Sequence, residues 1–209
     1  MKACENQEHC KVKVKLPTFF SLKSKKIVMA TSSHLRVVNF MIYASTHLHF
    51  YIDSLHLAVR NLDQILSLKQ YAAEDLELLG LGCLFDAAKH LENINHIPWS
   101  NEMAEYLKGE TKVTEDEIIK SKTQVLKALK FEIVVPTTIT FIRSVIERID
   151  PIYGIQYEKF QCLMEFLAEL TLMEYKFLRY NPSLIITSIM YYALLILNLN
   201  KKSKPCWSS

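Results

Sequence analysis

Asp86, Lys89 and Glu92 recur at every third position of LGCLFDAAKHLENI, the stretch from Leu81 to Ile94. Residues three and four apart share one face of a helix. They therefore draw a short charged stripe along a rod that otherwise reads as buried on every side. Three kinds of chemistry fit such a stripe: a helix end ionised in water, mutual ion pairing, or metal coordination. Coordination is the poorest match, because an ammonium is no ligand and hard cations take sets of oxygen donors. The remaining reactive residue types are just as scattered. Cys4, Cys10, Cys83, Cys162 and Cys206 form no C-x-x-C, the usage of a reducing compartment. His47 and His49 stand two apart, on different helix faces, so no zinc pair is expected there. Glu115 and Asp116 fall in what reads as the solvated first turn of a helix, where the helix dipole favours carboxylates. No G-x-G-x-x-G or G-x-x-x-x-G-K loop occurs. No catalytic group, metal, cofactor or small-molecule ligand is expected.

The elements that must carry the stripe are helical. Half of the 209 residues are hydrophobic and only four are glycine. The apolar spacing of three and four in HLRVVNFMIYASTHLHF marks a first helix from about residue 34. Leu55, Ala58, Val59, Leu62, Ile65 and Leu66 give a second, for which Asp53 or Ser54 can serve as cap. The stripe lies in a third, from about Glu74 to His90 or Glu92, ended by Asn95 to Pro98. A short helix over 100–107 follows. TEDE at 114–117 is then a capping box for a helix carrying Ile118, Ile119, Val125, Leu126 and Leu129. Lys122 lies on that helix's apolar stripe, and its stem is expected to carry the ammonium out to water.

Pro136 marks a boundary. Beyond it helices are expected at about 138–149, 157–174 and 182–198, the last opened by an Asn181 cap and Pro182 at its first position. Its run LIITSIMYYALLILNL would only just cross a bilayer core, and a helix in the middle of a bundle is the preferred reading. Residues 1–26 hold seven Lys and two Glu, a balance of +5, while the rest of the chain holds 18 basic and 20 acidic residues, a balance of −2. The basicity belongs to an irregular tail over 1–33, so nucleic-acid binding by the fold is not expected. No secretory signal is legible, which points to the nucleus or cytoplasm.

Four fragments resemble, in order, segments of the A/B-type (mitotic) cyclins: LHLAVRNLDQIL, CLFDAAKHLENI, KTQVLKALKFEIVVPTTITF and FLAELTLMEYKFLRYNPSLIITSIMYYAL. The resemblance covers about Leu35 to Leu197. It implies an all-α architecture: a cyclin-box five-helix bundle over 34–135, then a truncated second cyclin-like lobe over 136–200 and a tail over 201–209. It also implies a regulatory subunit that binds and activates a cyclin-dependent protein kinase in G2/mitotic-like progression and has no chemistry of its own. A cyclin-fold transcription adaptor, or a degenerate cyclin that activates no kinase, remains the alternative.

On the family pattern the kinase is met by Lys89, His90, Glu92, Lys122, Leu126, Phe131 and Ile133. The family has an acid where this chain has Lys122. A substrate-docking patch would fall on Leu35, Val38, Ile42 and Gln64. The family's M-R-A-I-L-x-x-W reads LRVVNFMI here, so R-x-L peptides are not expected to bind. Three helices in the second lobe are expected to cover one another less well than five.

Overall fold

The computed structural model describes residues 31–106, 113–153 and 157–197. The irregular tail expected over 1–33 lies outside them up to residue 30, as does the 201–209 tail. Eight α-helices carry the described chain: α1 (Thr31–His47), α2 (Ile52–Leu68), α3 (Leu76–Leu91), α4 (Ser100–Tyr106), α5 (Glu115–Ala128), α6 (Thr138–Tyr153), α7 (Tyr157–Met173) and α8 (Pro182–Ile196). Short 3-10 segments at Ile94–His96 and Tyr175–Arg179 join them, neither foreseen in the sequence. Among the described residues there is no strand.

Helix α3 is the axle of the first bundle. It packs on α1, α2 and α5, and every residue from Leu79 to Ala88 is buried. Two glycines allow this crowding. A Cβ on Gly80 would press on Met41 and Val37 of α1, and one on Gly82 would overlap Ser121 of α5. Ser121 Oγ donates to the Leu78 carbonyl at 2.8 Å, bridging the two helices where they come closest. Helix α5 starts as the sequence foretells. Thr114 Oγ1 accepts from the Glu117 amide at 3.4 Å, and Glu117 Oε2 accepts from the Thr114 amide at 2.8 Å.

Helix α2 starts differently. Its N-cap position is Tyr51, and neither Asp53 nor Ser54 caps it. Glu92, at the far end of α3, supplies the acceptor: Oε1 takes the Tyr51 amide at 2.7 Å and the Ser54 hydroxyl at 2.6 Å. Asp53 is turned instead to Arg143 of α6, whose Nε donates to Oδ1 at 3.0 Å. A second tie between the two halves of the chain is Tyr175, edge-on to His34 at 5.0 Å between ring centroids, with His34 itself held within the first bundle by Asp63 Oδ1 at 2.8 Å from its Nε2.

The apolar side chains form two clusters. The first draws on α1 to α5, and the second on Ile139, Ile142 and Ile146 of α6, Phe160, Met164 and Ala168 of α7, and Ile186, Ile189 and Ala193 of α8. Asn181 caps α8 as read from the sequence, accepting the Ser183 amide at 3.1 Å, with Pro182 in the first turn.

The expectation that α8 lies in the middle of a bundle is not met. It buries only Ile186, Ile189 and Ala193, and Leu184, Tyr191, Tyr192, Leu195 and Ile196 are exposed. Helices α6 and α7 cover one side of it, and no other described element packs across the opposite side. No described helix is long and apolar enough to cross a membrane.

Among the described residues, nine buried apolar side chains hold the second cluster against 24 in the first, so its helices have less burial opposing local opening. Amide exchange is expected to be faster over 157–197 than over 54–130. Equal protection in the two segments would refute this, and would mean that the exposed face of α8 is covered in solution.

Candidate functional site

The charged stripe of Asp86, Lys89 and Glu92 splits into three environments. Asp86 is 3% exposed, Lys89 is exposed and Glu92 is half-buried. The Asp86 carboxyl lies in the α3–α5 seam, and its Oδ2 has no hydrogen-bond partner. Burial pushes its pKa up to about 6, against the pull of the Lys122 and Lys89 ammonium groups.

Lys122 enters this seam from α5. Its neighbours Ile118, Ser121 and Val125 are buried, so the side chain leaves a face that has little water beside it. The amine does not swing away to solvent as expected. It sits over the ring of Phe85, Nζ 4.0 Å from the centroid, and Lys89 approaches the same ring at 5.1 Å. An aromatic face attracts cations, and here one ring serves two. Desolvation holds the Lys122 pKa down to about 8, helped by the nearby Lys89 ammonium and opposed by Asp86. Phe85 was not singled out in the sequence, although its spacing of four from Lys89 was visible there.

The end of α5 builds the rest of the surface. The Phe131 amide donates to the Leu126 carbonyl at 2.9 Å, closing the last turn. Lys130 (φ 52°) and Phe131 (φ 63°) follow one another in the left-handed region. That region costs an L-residue about 1–2 kcal/mol, so the tertiary fold holds the turn in place. Its effect is to leave Phe131 70% exposed while Ile133, two residues on, is 4% exposed. Leu126 is half-buried and His90 exposed.

Lys89 of α3 and Lys122 of α5 thus meet over Phe85, Leu126 shares the Lys122 face of α5 one turn on, and Phe131 closes the turn after it. Two expected contact residues are placed elsewhere. Ile133 is buried. Glu92 spends one carboxylate oxygen on the N-terminus of α2.

The second expected patch is also altered. Leu35 is exposed and Ile42 and Gln64 are half-buried, but Val38 is fully buried in the first cluster and cannot meet a ligand. Arg36, beside them, is tied to the start of α3 through the Ala73 carbonyl at 3.0 Å and Glu77 at 3.2 Å.

Residues 3–134 match the family model for the cyclin N-terminal domain and residues 136–209 that for the cyclin C-terminal domain. The chain belongs to the cyclin family. It is 32% identical over 157 residues to Cyclin-A2-2 of Arabidopsis thaliana, covering 75% of this chain and 35% of that protein. It is 31% identical over 179 residues to Cyclin-A1-4 of Oryza sativa subsp. japonica, covering 86% of this chain and 48% of that protein. The chain therefore spans between a third and a half of the length of these A-type cyclins. A viral cyclin from herpesvirus saimiri shares the fold, with a TM-score of 0.71 at 16% identity over 86% of this chain and 75% of its own. The four sequence fragments and the helical architecture thus point to the same cyclin family.

Proposed function

We propose that this cyclin is a non-enzymatic regulatory subunit that binds and activates a cyclin-dependent protein kinase in G2/mitotic-like progression. The observation that carries the reading is the outer side of the α3–α5 seam. An aromatic side chain 70% exposed on a left-handed turn, a half-buried Leu126 and two lysines sharing one ring form a surface built outward from a packed core. Exposed aromatic anchors ringed by charge are the usual composition of interface centres. Exclusion of water by a docked kinase helix would strengthen each polar contact there. Contact with the inward position of that helix favours the kinase Lys–Glu ion pair and the Mg²⁺ placement on which phosphoryl transfer depends.

Binding is expected to report the charge arrangement. Lys89→Ala should weaken affinity for a cyclin-dependent kinase several-fold. Lys122→Glu should strengthen it several-fold by replacing a like-charge pair with an opposite one, worth about 1 kcal/mol at a partly wet site. Titration calorimetry of both single variants and the double variant isolates their coupling. An unchanged affinity for Lys122→Glu beside a weakened Lys89→Ala would refute the repulsion but keep the surface. No change in either would remove the kinase from this face.

A further inference from the structure

Two histidines keep buried nitrogens that meet no partner among the described residues. His34 of α1 is 1% exposed and His56 of α2 is 2% exposed, yet His34 Nδ1 and His56 Nε2 have no hydrogen bond. A buried polar atom left unsatisfied opposes folding, so each such atom calls for an explanation. Both side chains line one cavity of about 80 Å³ between the two bundles, several times the space one water needs. Arg60 and Asp63, one and two turns on from His56 along α2, also line it, as do Glu174 and Tyr175 from beyond α7. Thr171, Phe177, Tyr180 and Ile185 line both this cavity and a groove of about 410 Å³ between α7 and α8, so the two spaces adjoin.

The charged groups of the cavity are already matched. Asp63 Oδ1 meets His34 Nε2 at 2.8 Å, and Asp63 also acts on Arg60. Glu174 Oε1 accepts the Lys176 amide at 3.2 Å and lies 4.0 Å from the Lys176 ammonium. Burial favours the neutral ring at His56. A charged guest would lose its water here and gain no unmatched counter-charge, so an uncharged one is favoured. The Asp63 carboxylate can only accept, so Nε2 of a neutral His34 carries the proton and Nδ1 offers a lone pair. The guest must therefore donate an N–H or O–H to His34. The groove asks for the opposite chemistry. Thr171 Oγ1 and Ser188 Oγ donate to the Ala168 and Leu184 carbonyls of their own helices at 2.7 and 2.9 Å, which leaves leucine, isoleucine and aromatic side chains to face a guest.

We propose that the joined cavity and groove bind an uncharged amphipathic small molecule, its carboxamide or hydroxyl head hydrogen-bonded to His34 and His56 and its apolar chain in the α7–α8 groove. Such a head satisfies the two orphaned nitrogens, and the chain takes apolar surface out of water. The site is separate from the α3–α5 seam and does not depend on a kinase binding there.

Hexanamide, hexanoate and hexylamine share one chain length and differ in head charge. Each is titrated into the full chain while the histidine ring nitrogens are followed by NMR. Hexanamide should saturate, moving the His34 and His56 signals and leaving those of the exposed His49 and His90 in place. It should bind about ten-fold tighter than either charged analogue. His56→Phe removes one hydrogen-bonding nitrogen at similar shape and should weaken hexanamide about ten-fold. Ser188 is exposed in the groove, so Ser188→Trp fills the chain's place without touching either histidine and should weaken binding as much. Should His56→Phe not fold, Ser188→Trp still decides. Ring signals that stay unmoved under excess hexanamide would overturn the proposal, leaving the cavity to water alone. So would equal affinity for hexanoate or hexylamine, or an affinity unchanged in a folded variant.

Discussion

Gly82→Ala is expected to lower the unfolding free energy by about 2–3 kcal/mol, although alanine is the better helix former by about 1 kcal/mol. The added Cβ would overlap Ser121 Oγ. It would also stand 3.1 Å from the Ser121 carbonyl carbon and 3.2 Å from the Lys122 nitrogen. Backbone atoms cannot rotate aside, and the Ser121 hydroxyl is held on the Leu78 carbonyl. Helices α3 and α5 must then move apart, loosening a densely packed region in which every lost contact counts.

Gly80→Ala is the control. Its new Cβ would meet the Met41 side chain at 3.1 Å and Val37 Cγ1 at 3.2 Å, and an unbranched thioether can shift to make room. A change within about 1 kcal/mol of zero is expected there. Denaturant unfolding of the two variants checks the contrast. A neutral or stabilising Gly82→Ala would mean that the seam is slack and that Lys122 is not held against Phe85 by close helix approach.

Between pH 7 and pH 5, stability is expected to stay nearly level in the natural chain and to change in opposite directions in two variants. His56 is 2% exposed, its Nε2 has no partner, and burial lowers its pKa to about 4 despite the nearby Asp53. A depressed histidine contributes stability that is present above its unfolded pKa of about 6.5 and is lost as pH falls toward 4. About 2 kcal/mol of it is gone by pH 5.

Asp86 runs the other way. Its folded pKa of about 6 is raised, so its contribution is full below the unfolded value near 4 and is lost as pH rises through 6. Acidification from pH 7 to pH 5 returns about 1 kcal/mol, a figure reduced by the water and cations near the group. Lys122 titrates near 8, above this window. Asp86→Asn should therefore lose about 2 kcal/mol between pH 7 and pH 5, and His56→Gln should gain about 1 kcal/mol. Urea midpoints at the two pH values measure both. Parallel slopes in the two variants and the natural chain would show that neither group titrates across this range.

What the chain could announce about itself was short-range. The capping box at Thr114–Glu117 and the Asn181–Pro182 start of α8 are closed by groups two or three residues apart, so their residue types alone decide them. The period of apolar residues decides that α2 and α5 are amphipathic. The all-buried character of α3 follows from its unbroken apolar run with two glycines, the residues that let α1 and α5 approach on two sides. The order of four such segments was enough to indicate the cyclin family.

The contacts that shape the candidate surface were decided by tertiary structure, because their partners are far apart in the chain. Glu92 reads as one more exposed charge until α2 presents the Tyr51 amide, 41 positions away. Asp53 reads as a cap until α6 brings Arg143 to it across 90 positions. Val38 and Ile133 look like any apolar surface residue in a list of family positions, and only packing shows that they point inward. Helix α8 is apolar enough to be a core helix, but a helix is buried only where neighbours cover it, and two helices leave one face in water. Lys122 shows the difference most plainly. Its sequence position predicts a stem reaching for solvent. The close approach of α3 at Gly82 puts Phe85 beneath the amine, where the aromatic face and the Asp86 carboxyl offset only part of the hydration the charge loses.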